Sequence, residues 1–160
     1  MRAKSSGAVF AAALAAIAVG CGGSGRVSRA HQLSEAQYQH KLQVDGRPLM
    51  RLGPTLTCSR CSATEFAKRT DAFDAAARKA ADDLDATTPP KDAEHDNEAI
   101  VAGLRALPGL LDEFKKVMTS EGDSLRAMSD LENSPELKAA DQAATDLEKK
   151  GYKLGGFFGS

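Results

Sequence analysis

The chain has 160 residues, with 21 Lys and Arg against 22 Asp and Glu, for a formal net charge of −1. So even a balance excludes the concentrated basic surface that nucleic-acid binders need, and no nucleic acid is expected as a partner. Two Tyr, six Phe and no Trp leave the core to be built largely from Leu and Ala, which suits closely packed helices.

The N-terminus comes first. Residues 1–7 carry Arg2 and Lys4 without an acid, and residues 8–20 are apolar throughout. This is the pattern of an export signal over residues 1–20. The apolar run falls short of the roughly 20 residues that span a bilayer. Ala18, Val19 and Gly20 then precede Cys21. The stretch resembles the lipobox of bacterial lipoproteins, in which the cysteine sulfur is joined to diacylglycerol and the chain is cut just before it. That resemblance implies a mature protein beginning at a lipid-bearing Cys21, bound to the extracytoplasmic face of the cell membrane. Two acyl chains on one residue supply the double anchor that stable attachment needs. One position departs from the pattern: Leu is usual three residues before the cysteine, and Ala18 stands there. Ala16-Ile17-Ala18 also fits ordinary signal-peptidase cleavage, which would give a secreted protein.

Removing residues 1–20 takes away two basic residues and no acidic one, leaving a net charge of −3. The remaining length, roughly 140 residues, fits one domain with a modest core. "GGSGRVSRAHQ" is Gly- and Ser-rich without periodicity, so residues 21–33 read as the attachment cysteine and a flexible linker. No basic run of the kind that steers a protein to anionic lipid is present.

Helical periodicity begins at Ser34. Ser34 and Gln37 form a capping box, with Leu33 positioned to staple onto Tyr38. Tyr38, Leu42, Leu49, Leu52 and Leu56 keep one phase through Gly46 and Pro48, so a bend is expected there and not a stop. Ser62 and Glu65 form a second capping box, and Phe66, Phe73, Ala77, Ala80 and Leu84 mark a helix ending before "TTPPKD". Ile100, Leu104, Leu107, Leu111, Phe114 and Met118 give a third helix one apolar face; Pro108 and Gly109 sit inside it, so a kink is expected near Leu104, and "SEGD" closes it. A last region has two pieces. Leu125, Met128 and Leu131 line the first, and Ser134-Pro135 restarts the helix as N-cap and N1. Gly151 at C′, with Tyr152 folding back on Leu147, predicts a Schellman ending. The expected fold is all-α, an up-down bundle of about four helices over residues 34–152. An apolar, Gly-rich tail follows over residues 153–160.

Few residues point to chemistry. Cys58 and Cys61 form a C-x-x-C before a helix, a spacing that in thioredoxin-like sites lowers a thiol pKa. Those sites sit between a strand and a helix, and no strand pattern exists here. A zinc site would need further ligands at suitable spacing, which the sequence lacks. With Cys21 carrying lipid, two thiols remain in an oxidising compartment, and a local Cys58–Cys61 disulfide is the expected state. His31, His40 and His95 are scattered. Asp92, Glu94, His95, Asp96 and Glu98 crowd the start of the third helix, where carboxylates are favoured by the helix dipole. No metal site, cofactor or catalytic grouping is assigned. Leu154, Phe157 and Phe158 are too apolar to hang in water comfortably, and are expected to pack on the bundle or to dock on a partner or membrane.

Taken whole, the chain resembles uncharacterised small helical lipoproteins of high-GC bacteria. The likeness rests on the signal with Cys21, on "LSEAQY", on the Pro-Pro loop and on "KKGYKLGGF". It implies location and fold, and carries over no catalytic residue. The expected function is a lipid-anchored, non-enzymatic binding or structural module, attached to the membrane through Cys21 and possessing an envelope protein partner. Alternatives are a thiol-active or metal-handling protein using Cys58 and Cys61, and a small-ligand-binding bundle with Pro48 and Pro108 holding helices apart.

Overall fold

The computed structural model describes residues 32–58, 61–119 and 124–154, and their secondary structure is helical without a strand. Five α-helices follow one another: α1 (Glu35–Leu56), α2 (Ala63–Asp85), α3 (Glu94–Thr119), α4 (Ser124–Asn133) and α5 (Pro135–Lys149). A single 3-10 turn, Lys91–Ala93, follows the Pro89-Pro90 pair and feeds α3.

Local chemistry sets most helix ends. Ser34 accepts from the Gln37 amide while the Gln37 side chain accepts from the Ser34 amide, and Ser62 and Glu65 repeat the box at the start of α2. At α5, Ser134 accepts from the Leu137 amide at 3.4 Å with Pro135 in the first turn, where its missing N–H costs nothing. The end of α5 is the expected Schellman motif. Gly151 has φ 97°, its amide donates to the Glu148 carbonyl at 2.9 Å, and the Tyr152 amide reaches Leu147 at 3.0 Å. Pro48, Pro54 and Pro108 lie inside continuous helices. The preserved apolar phase on either side of Pro48 and Pro108 outweighs the hydrogen bond each removes. The "SEGD" turn lies outside the described residues.

Helix α2 packs on α3, α3 packs on α5, and α1 lies against α2, while the shorter α4 rests mainly on α3. The core joins Tyr38, Leu42 and Leu49 of α1 to Leu84 of α2, Ile100 and Leu104 of α3, and Leu147 of α5. Alanines fill the rest: Ala77, Ala80 and Ala81 on α2, Ala143 and Ala144 on α5. At the other end of α2 and α3, Phe66 and Phe114 meet edge-on with centroids 5.8 Å apart. Gly103 permits a close approach of α3 and α5, since a Cβ there would sit 2.5 Å from the Ala140 Cβ and 3.1 Å from the Glu136 carbonyl oxygen.

Thr70, Asp74, Asp96, Asn97 and Ser134 are the buried polar side chains among the described residues. Asp74 sits on the buried face of α2, 9 % exposed, with its Oδ1 shut away from any hydrogen-bond donor. Burial first, and the Asp112 carboxylate second, hold its carboxyl above the usual range, opposed by Lys115 and Arg78. Lys115 itself bridges α2 and α3 through Asp71 at 2.7 Å and Asp112 at 3.2 Å.

Two predictions follow from this packing. Gly103→Ala should lower stability by about 1–3 kcal/mol through overpacking. Gly109→Ala, where a Cβ meets nothing within 4 Å, should be neutral or raise it by up to about 1 kcal/mol. Thermal unfolding of both variants checks the pair. For Asp74, a raised folded pKa means that ionisation at neutral pH opposes folding, and that this cost fades as the pH falls through the carboxylate range. Asp74→Asn is therefore expected to gain about 1 kcal/mol at pH 7 and to lose the advantage in acid, read from urea midpoints across pH.

Candidate functional site

Two places gather chemistry-bearing side chains, and they lie at opposite ends of α1. The first is a polar node where the start of α1, the end of α2, the start of α3 and the end of α5 converge. Tyr38, fully buried, donates its hydroxyl to Asn97 Oδ1 at 2.9 Å, and Asn97 Nδ2 points at the Leu84 carbonyl at 3.5 Å. Lys150 reaches across from α5, donating to Asp96 Oδ2 and to the Asp92 carbonyl, each at 2.6 Å. The Tyr152 hydroxyl donates to the Asp92 carboxylate at 3.1 Å, and its ring stands edge-on to Tyr38 at 5.8 Å.

The electrostatics follow from burial. The Tyr38 phenol is held far above its ordinary value, by desolvation first and by the Asp96 charge second. Tyr152 is pushed up to about 12 by desolvation and by its hydrogen bond to Asp92. Both phenols therefore stay protonated and serve as donors across the physiological range. Four helix ends are cross-linked by donors and acceptors that engage one another, so the node braces the fold.

The acidic turn before α3 is thereby divided. Asp92 and Asp96 have specific partners on the C-terminal segment beyond the favourable dipole, while Glu94, His95 and Glu98 are exposed, as is His40. Among the described residues, no three His, Cys, Asp or Glu are grouped so that they could hold a metal ion. Sequence reasoning passed over Asn97 and Lys150. Asn97 was findable, because a polar residue three before Ile100 falls on the apolar phase of α3. Lys150 gave no such signal beyond its place in the last turn.

The second place is the α1–α2 turn. Cys58 and Cys61 lie with their sulfurs at disulfide-bonding distance and their Cα atoms 5.6 Å apart, both half-buried. Cys61 immediately precedes the N-cap Ser62, so the pair ties the end of α1 to the first turn of α2. Arg69 strengthens the same junction by donating to the Thr55 carbonyl at 3.0 Å. A ring so short removes little unfolded-state entropy, about 2 kcal/mol, so its action is local.

A half-open groove of about 460 Å³ separates α1 from α2, lined by Val44, Pro48, Ala75, Ala76 and Ala80, with Lys79 and Asp83 ion-paired at its rim. Pro48 lines this groove, whereas Pro108 is fully buried. Gln32 and Leu33, assigned to the linker by composition, are bonded to the loop before α3 through Pro89 and Thr88. Leu154 of the tail is buried in the core. Cys21, His31, Phe157 and Phe158 lie outside the described residues. No described helix is long and apolar enough to cross a membrane. The chain matches no protein-family model, no curated protein and no solved structure.

If the node braces the fold, its partners should be separable by substitution. Tyr38→Phe, which strands Asn97 Oδ1 in the core, is expected to cost about 1–2 kcal/mol. Lys150→Met, which leaves the buried Asp96 carboxylate without its cation, should cost about 2–3 kcal/mol. The double variant should cost less than the sum, because both changes loosen one network. Chemical denaturation of the three proteins checks this.

Proposed function

We propose that the protein is a lipid-anchored component of the cell envelope, held on the extracytoplasmic face by an acylated Cys21. Its helical body, an up-down bundle in this reading, acts as a non-enzymatic binding or structural module for an envelope protein. The observation that carries the proposal is the Cys58–Cys61 pair at disulfide distance. Disulfides persist in oxidising compartments and are rare in a reducing cytosol. This agrees with an export signal, and it leaves Cys21 as the one of three cysteines that sits in a lipobox-like context.

Geometry supports the same picture. The chain joins the body at Ser34, beside the polar node, and α1 then runs 22 residues, about 33 Å, to the cysteine turn. In sequence, the attachment point on Cys21 thus lies nearer the node end of α1 than the cysteine turn. The engagement of Tyr38, Asn97, Asp96 and Lys150 with one another favours a structural or binding role over catalysis.

Metabolic labelling with a fatty acid tests the anchor. The wild-type chain should take up label and fractionate with membranes, and Cys21→Ser should lose both properties. A wild-type chain that takes up no label and fractionates as soluble is the secreted alternative, and overturns the proposal.

A further inference from the structure

On the reading of this chain as a binding module, we infer that the outward line of α1, His40, Val44, Arg47 and Arg51, docks an acidic amphipathic helix of a partner protein, together with the groove beside it. Charge is the first ground. Helix α1 carries Lys41, Arg47 and Arg51 against Glu35 and Asp45, a net charge of +1, whereas α2, α3, α4 and α5 each hold more acids than bases. Its two acids do not offset the arginines. The Asp45 side chain is 8 % exposed and ion-paired to Lys41 at 2.9 Å, and Glu35 sits in the first turn. Arg47 and Arg51 are exposed, and among the described residues no ion pair or hydrogen bond engages them.

Shape is the second ground. His40, Val44, Arg47 and Arg51 recur at spacings of four, three and four, which sets them on one line of the helix, opposite the buried Leu42 and Leu49. Val44, 44 % exposed, forms the edge of the half-open groove toward α2, whose walls continue through Pro48, Ala75, Ala76 and Ala80. The charged side chains lining it are already paired, Lys79 with Asp83 and Asp45 with Lys41. Its apolar walls are thus open to aliphatic side chains of a helix laid along α1. The two unpaired guanidinium groups, one turn apart, match carboxylates at the same spacing on that helix.

A bilayer and a second copy are poorer occupants. A flat headgroup surface does not enter the groove, and two arginines fall short of the roughly four to eight clustered cations that hold a protein to anionic lipid. Val44 and Met50 are the exposed large apolar side chains among the described residues, and both belong to α1. A second copy would therefore meet this surface with the same basic helix, setting arginine against arginine.

Photo-crosslinking to defined peptides tests the inference. Benzoylphenylalanine replaces the exposed His40 in the full chain, expressed with its own N-terminus and incubated with vesicles of phosphatidylcholine or of phosphatidylcholine with phosphatidylglycerol. Three synthetic amphipathic helical peptides are added, alike in their leucine stripe and bearing Glu, Gln or Lys at the flanking positions. The Glu peptide is expected to be captured about tenfold more than the Gln peptide, and the Lys peptide least. Arg47→Glu with Arg51→Glu should reverse that order. Ala75→Gln, which puts a polar group into the groove, should lower capture of the Glu peptide several-fold. All three substituted positions are exposed, so thermal unfolding of these variants should match the parent. Equal capture of the three peptides, capture of none, a crosslink to phosphatidylglycerol in place of peptide, or a product at doubled mass overturns the inference. The acylation of Cys21 is read independently by the fatty-acid label, so failure here leaves the anchor standing and failure there leaves this surface standing.

Discussion

The contact on which the fold depends is the one between the end of α5 and the start of α3. Lys150 and Tyr152 leave the last helix through a left-handed Gly151 and meet Asp96 and Asp92 more than fifty residues earlier in the chain. Tyr38 joins from α1 through Asn97 and through the Tyr152 ring. The Tyr38–Asn97 bond is buried and those of Lys150 and Tyr152 to the two carboxylates are part-buried, and out of water a satisfied network is stiff while a half-satisfied one is costly. Hydrophobic contact alone would hold the same helices in several registers, because alanine surfaces slide. The node fixes one of them.

The close approach at Gly103 works with the node. A helix pair drawn together by a missing side chain gains dispersion contacts along its length, but only in the register that sets Gly103 against Ala140. The polar bonds at one end and the glycine contact further along therefore specify the same arrangement of α3 and α5. Asp74 stands apart from this agreement. Its shielded oxygen opposes folding at neutral pH, and the nearby Lys115 and Arg78 charges offset that only in part.

What could be read before the fold was in view was whatever is local. Both capping boxes span four residues, the Schellman ending spans six, and the cysteine pair spans four, so each is written out in a short stretch of chain. The apolar phase likewise carried α1 through Pro48 and α3 through Pro108. The node was opaque because its partners lie 54 to 60 residues apart, and no spacing rule links Lys150 to Asp96. Asp92 and Asp96 consequently read as dipole partners alone. Asn97 and Asp74 announced themselves only as polar residues on apolar stripes, a signal that marks a buried bond or an unrelieved charge without saying which. Function was harder still, since Cys58 and Cys61 carry chemistry by type, yet their geometry fits a staple.

The alanine-rich interior has a thermodynamic consequence of its own. Methyl groups expose little apolar area when the chain unfolds, so the heat-capacity increment per residue falls toward the low end for globular domains. A small increment flattens the curve of stability against temperature. Such a body changes little in stability between cold and warm surroundings, and its cold-denaturation limit retreats to temperatures far below freezing.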